Sequence, residues 1–139
     1  IQYSQITNLI GSIINIEEKG PAEGGNGYLG VSENKLTVFE IKGYRDDIKE
    51  ASMKLVYPKN IDSASAELNN AMMARFLKNA APELQDWGAR VKEIRGKFDS
   101  LEAGIHGISK EDIELANKII QILYDKNANC IIVTLKPQP

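Results

Sequence analysis

Apolar residues fall along this chain in short blocks whose spacing changes, and the changes mark elements. Ile6, Leu9, Ile10 and Ile13 follow an i, i+3, i+4, i+7 pattern, which predicts a short amphipathic helix ending near Gly11 or Ser12. Ile14 and Ile16 then open a first strand. Residues 35–41, Lys-Leu-Thr-Val-Phe-Glu-Ile, form a β-branched and aromatic run, with Leu36, Val38 and Ile41 expected on the buried side. Ile48, Ala51, Met53, Leu55 and Tyr57 recur at mostly two-residue spacing and predict a further strand, joined to the previous one by a turn at Gly43 to Asp47. Such a meander buries one face and leaves Lys35, Glu40, Lys42, Lys49 and Lys54 in water.

The period then lengthens. After Pro58, Asn60 or Asp62 can cap a helix whose stripe is Leu68, Ala71, Met72 and Phe76, widened by Met73 and Leu77. Ala80-Ala81-Pro82 marks a break, and a second helix is expected from there, with Leu84, Trp87, Val91, Ile94, Phe98 and Leu101 alternating steps of three and four. Gly88 and Gly96 weaken that helix by about 1 kcal/mol each relative to alanine, so it must be held by tertiary packing. Ile108-Ser109-Lys110-Glu111-Asp112-Ile113 resembles a capping box with a hydrophobic staple and predicts a brief helix or loop. Residues 118–124 and 130–136 are β-prone on both faces and flank Asp125 to Asn129, whose asparagines tolerate positive φ; together they predict a hairpin stopped by Pro137 and Pro139.

The expected fold is therefore α+β: an antiparallel sheet of about five strands with the helices of residues 62–101 packed on one face, in the order helix, strands, helices, β-hairpin. At 139 residues the chain fits a single domain. No repeat or low-complexity stretch divides it. The first residue is Ile, not Met, so the expectation is a piece of a longer precursor or multi-domain protein, soluble in itself and extracytoplasmic if an export signal or anchor precedes it. Basic residues number 17 and acidic 19, a balance that offers no field for nucleic acid and none for an anionic membrane.

Gly25-Asn26-Gly27-Tyr28-Leu29-Gly30 spells the phosphate-cradling G-x-G-x-x-G, but that device needs a helix directly after it, and here a strand follows, so the glycines read as a hairpin or loop. Cys130 is the one cysteine: no internal disulfide can form, and its isoleucine-rich surroundings disfavour the thiolate. His106, in Gly104-Ile105-His106-Gly107, is the one histidine, so any triad must use it. The acidic pairs Asp46-Asp47 and Glu111-Asp112 with Glu114 lack calcium-loop spacing. No cofactor or metal is expected. Arg90, Lys92, Arg95 and Lys97 are diluted by Glu93 and Asp99 and read as a solvated flank.

Tyr28, Tyr44 and Arg45 lie in two glycine-containing segments that meet at one end of the expected sheet. Rigid aromatic groups beside an arginine anchor partners, so these three residues are the candidate binding patch, and replacing both tyrosines by alanine should spare the fold. The leading functional expectation is a non-enzymatic binding or interaction module for a protein or small-molecule ligand. The alternatives are a small hydrolase-like enzyme pairing His106 with a carboxylate, and a homo-oligomerisation domain built on the two-faced strands and the Leu84 to Leu101 seam.

Overall fold

In the computed structural model, which describes residues 1–138, one antiparallel sheet of seven strands carries three helices. The elements are α1 (Tyr3–Ile6), β1 (Ile16–Ala22), β2 (Gly25–Val31), β3 (Thr37–Tyr44), β4 (Asp47–Val56), α2 (Ser63–Ala80), α3 (Trp87–Ser100), β5 (Ile108–Glu114), β6 (Lys118–Asp125) and β7 (Cys130–Pro137). Across the sheet the strands run β1-β2-β3-β4-β7-β6-β5. The first four form a meander, the last three form another, and β4 and β7 join them through antiparallel pairs from Ala51 with Leu135 to Val56 with Cys130.

Two strands exceed the five expected. The glycine-rich stretch is no loop: Gly25–Val31 pairs on both sides, with β1 and with β3. Ser109 does not cap a helix either, because every residue from Ile108 to Glu114 pairs with β6. A local capping pattern loses there to a full ladder of main-chain hydrogen bonds. The chain thus ends in a three-stranded unit, and the expected order ending in a hairpin is corrected accordingly.

Alternation turns Phe39, Ile41, Ala51, Met53, Leu55, Ile120, Ile122, Ile131, Val133 and Leu135 to one face, where they join Met72, Met73, Phe76, Leu77, Trp87, Val91, Ile94 and Phe98 of the long helices in one buried cluster. The inward residues of β3 are Thr37, Phe39 and Ile41; Leu36 and Val38, expected inside, belong to the other parity and are only half-buried. Ile41 sits an odd number of positions from Leu36 and Val38, and period two admits only one of the two sets to the core. On the opposite face a cross-strand row runs Val31, Val38, Lys54, Ile132, Leu123, Lys110, mixing charges and aliphatics as a water-facing antiparallel sheet does. The exposed edges are charged, with Glu17, Glu18 and Lys19 on β1 and Lys110, Asp112 and Glu114 on β5, and Pro21 removes a donor from β1.

The helix starts follow local chemistry. Asp62 caps α2 by accepting the Ser65 backbone N–H at 2.8 Å. The second long helix begins at Trp87, five residues later than Pro82, because residues 82–86 form a turn that ends on Asp86 with φ +59°. Near the N-terminus the helix closes at Ile6, and the buried positions are Ile6, Ile10 and Ile14, while Leu9 and Ile13 face water. Successive turns, not a continuous helix, carry the chain there, and Leu9 itself adopts φ +62°. Asn79 holds this segment to α2: its side-chain amide donates to the carbonyls of Ile6 (3.2 Å) and Asn8 (2.8 Å). Asn69, fully buried on the same helix, accepts from the Thr37 hydroxyl and donates to the Val56 carbonyl, both at 2.8 Å. Each satisfies groups whose burial without a partner would cost about 1–3 kcal/mol. The Asp125 to Asn129 turn is as expected, with Asn129 at φ +52°. Pro137 is the last residue of β7, and Pro139 lies outside the described residues.

Candidate functional site

The turn between β3 and β4 presents Tyr44 and Arg45, and tertiary packing brings one of them to Tyr28. Arg45 places its guanidinium over the ring of Tyr28 at 5.4 Å and over that of Tyr3 at 4.4 Å, the two rings lying 4.8 Å apart. A cation over two π-faces is attracted to both. The Arg45 carbonyl also accepts the Tyr3 backbone N–H at 2.8 Å, so the N-terminal segment is tied to this turn twice. Tyr28 is buried, 3% exposed, and works as the floor beneath Arg45, whereas Tyr44 stands 58% exposed. Burial also pushes the Tyr3 phenol above its ordinary value, against the lowering effect of Arg45. Tyr3 belongs to this group and no local signal announces it, because residues 3, 28 and 45 meet only in the folded sheet.

Beside this turn lies a cleft of about 400 Å³ lined by Ile1, Gln5, Asp47, Ile48, Lys49, Glu50, Asn117, Lys118, Leu135, Lys136 and Pro137. It exists because β4 changes partner. Its ladder with β7 stops at Ala51 and Leu135; beyond that, Ile48 donates its backbone N–H to the carbonyl of Ile1 at 2.9 Å. Lys49 and Glu50 therefore face Lys136 and Pro137 across a gap. Lys49 reaches Asp47 at 2.8 Å, and this partner holds the Asp47 carboxyl below its usual value. Lys118, 17% exposed, reaches Glu83 at 3.0 Å. Glu50 and Lys136 are half-buried and form no ion pair among the described residues.

The chain matches no protein-family model, no curated protein and no solved structure. Its chemistry has to come from its own geometry. His106 is exposed in a turn braced by Asn127, which accepts the Gly104 N–H at 2.7 Å and donates to the Gly104 carbonyl at 3.1 Å; the imidazole itself makes no hydrogen bond among the described residues. Cys130 lies on the water-facing parity of β7 but is 2% exposed, and burial pushes its thiol up. No group of three or more His, Cys, Asp or Glu side chains converges on a metal-sized space among the described residues. The glycines of the G-x-G-x-x-G stretch have other work: a Cβ on Gly30 would press on Ile14 and Ile16, and one on Gly25 would reach 2.6 Å from the Gly43 carbonyl oxygen.

The basic flank of α3 is largely engaged. Arg95 stacks on Tyr57 at 3.9 Å and donates to Asn70, Arg90 lies 5.4 Å over Trp87, and Lys97 pairs with Glu111. Burial drives the Tyr57 phenol to about 12 despite the arginine above it. Glu111 also accepts from the Tyr124 hydroxyl at 2.7 Å, closing a latch between α3, β5 and β6. Burial raises the Glu111 carboxyl, but the hydrogen bonds from Lys97 and Tyr124 together outweigh it and leave the group below its ordinary 4.5. A lowered folded value means the latch contributes fully above pH 4.5 and is lost as pH falls through the folded value. Thermal midpoints of the wild type and of Glu111→Gln should therefore differ at neutral pH and converge in acid; a gap that widens below pH 4 would contradict this.

Proposed function

We propose that this chain is a non-enzymatic binding module whose ligand-facing surface is the end of the sheet formed by the Tyr44–Arg45 turn and the adjoining cleft. The observation that carries the reading is the cleft itself. Its volume falls in the range of about 300–1,000 Å³ typical of small-ligand sites, and charged and polar side chains converge on it beside a smaller apolar lining. It also directly follows, along β4, the turn that the sequence singles out. Arg45, stacked on Tyr3 and Tyr28, fixes the turn that leads into Asp47 on the cleft wall, and Tyr44, exposed on that turn, offers an aromatic contact at low entropic cost. Neither His106 nor Cys130 lines the space, which separates this reading from one that makes either residue a nucleophile or base.

The burial of Tyr28 divides the two tyrosines as probes. Tyr28→Ala removes a floor residue and costs stability, so it reports on folding, not recognition. Tyr44→Ala should leave stability within about 0.5 kcal/mol of the wild type, as surface changes do. Backbone amide spectra recorded with a library of small polar fragments should show shifts clustered at residues 44–50, 117–118 and 135–137, weakened in Tyr44→Ala. Shifts centred on the outer sheet face or on the helices, with this end silent, would refute the assignment.

A further inference from the structure

We infer that the cleft between β4 and β7 takes a zwitterion bearing an aliphatic group, the chemistry of a free α-amino acid such as leucine. The inference rests on the reading of this cleft as a binding site and adds the ligand class. It follows from a tally of charges around the space. Five charged side chains line it: Asp47, Lys49, Glu50, Lys118 and Lys136. Two of the three cations already have a carboxylate, Lys49 through Asp47 at 2.8 Å and Lys118 through Glu83 at 3.0 Å. What remains is one half-buried anion, Glu50, and one half-buried cation, Lys136, with no ion-pair partner among the described residues.

A ligand of one sign satisfies only half of this arrangement. A simple anion meets Lys136 but is repelled by Glu50 and Asp47, and a simple cation meets Glu50 against three lysines. A molecule with an ammonium and a carboxylate a few ångströms apart pairs with both, and each contact gains strength because the protein charge is already partly withdrawn from water. Asn117 lines the space as a neutral hydrogen-bonding group, and the Gln5 amide beside it already donates to the Asn79 carbonyl at 3.2 Å. The remaining lining is apolar: Pro137 is exposed, and Ile48 and Leu135, 5% and 3% exposed, show an edge of the core that an aliphatic side chain can cover. A volume of about 400 Å³ admits one amino acid with room for a few waters.

The distinguishing probes are L-leucine, N-acetyl-L-leucine (carboxylate alone) and L-leucinamide (ammonium alone), titrated into the wild type, Glu50→Gln and Lys136→Gln while backbone amides are followed. Leucine is expected to shift amides at residues 48–50 and 135–137 and to bind about tenfold or more tightly than either capped form, one well-made charge contact apart. In Glu50→Gln that margin over N-acetyl-leucine should vanish; in Lys136→Gln the margin over leucinamide should vanish. If N-acetyl-leucine matches leucine on the wild type, the site is an anion site and the zwitterion assignment is overturned. If leucine produces no shift while the fragment library still perturbs the cleft, the ligand class falls and the binding reading stands. Silence from both probes refutes the two together.

Discussion

Phe76→Ala is expected to cost about 3–5 kcal/mol of folding stability, the range for emptying an aromatic site in a packed core. Phe76 is fully buried and meets Phe39 edge to face, ring centroids 5.4 Å apart at 76°. One ring comes from α2 and the other from β3, so the pair is where the helical layer is fastened to the first meander. The alanine would remove both the transfer free energy and the aromatic contact, and the cavity would be bordered by sheet backbone that cannot collapse into it. A loss of midpoint on the order of 10 °C or more should accompany it, with Phe76→Leu retaining most of the stability. A measured cost below 1 kcal/mol would show that this contact does not join the layers.

Much of this core was legible because the long helices obey their period. Met72, Met73, Phe76 and Leu77 on one helix and Trp87, Val91, Ile94 and Phe98 on the other are buried as their spacing requires, while Leu68 is half-buried and Ala71, expected in the same stripe, faces water. What escaped were elements whose local signal pointed elsewhere. Residues 25–31 contain three glycines, and glycine marks turns when only neighbours in sequence are considered; here β1 and β3 on either side supply the hydrogen bonds that such a strand cannot earn by propensity. Residues 108–114 present a polar edge strand whose alternation is masked by charge, since Glu111 points inward to Tyr124 while Lys110 and Asp112 point out. Ser109 mimics a cap in that setting, and the pairing with β6 overrides it.

The candidate site was legible in part for a different reason. A turn with an aromatic residue and an arginine is visible in the sequence, and the structure does bring Arg45 to Tyr28. Burial is not visible there: whether a tyrosine faces a ligand or floors an arginine depends on Tyr3, 25 positions from Tyr28 along the chain. The cleft is less legible still. It arises where β4 leaves β7, an element some 80 positions away, to bond the N-terminal segment, and from Lys136 and Glu50, which taken singly are ordinary strand-end charges.

Gly43→Ala is expected to be strongly damaging, and its effect should reach the cleft as well as the fold. Gly43 has φ +133°, a conformation that an L side chain rarely adopts. Space is also lacking: a Cβ there would lie 2.6 Å from the Lys49 nitrogen, 2.7 Å from the Asp47 oxygen and 2.9 Å from the Ile48 Cα. All three are backbone atoms and none can rotate away. The crowding originates in the register between β3 and β4, where Lys42 pairs with Glu50 but Gly43 pairs with Ile48, so that Lys49 is the extra residue of a bulge. Conformational strain and overpacking together should cost about 2–5 kcal/mol, read as a lower urea midpoint. Because the displaced backbone carries Asp47, Lys49 and Glu50 on the cleft wall and Tyr44 and Arg45 in the turn before it, amide shifts of the surviving folded protein should be largest at residues 44–50. Gly96→Ala supplies the opposite control. A Cβ at that helical position meets nothing within 4 Å, so alanine should stabilise the protein by up to about 1 kcal/mol and leave residues 44–50 unmoved. Equal effects from the two substitutions would mean that the bulge, and with it the shape of the cleft, is not set by the missing side chain at Gly43.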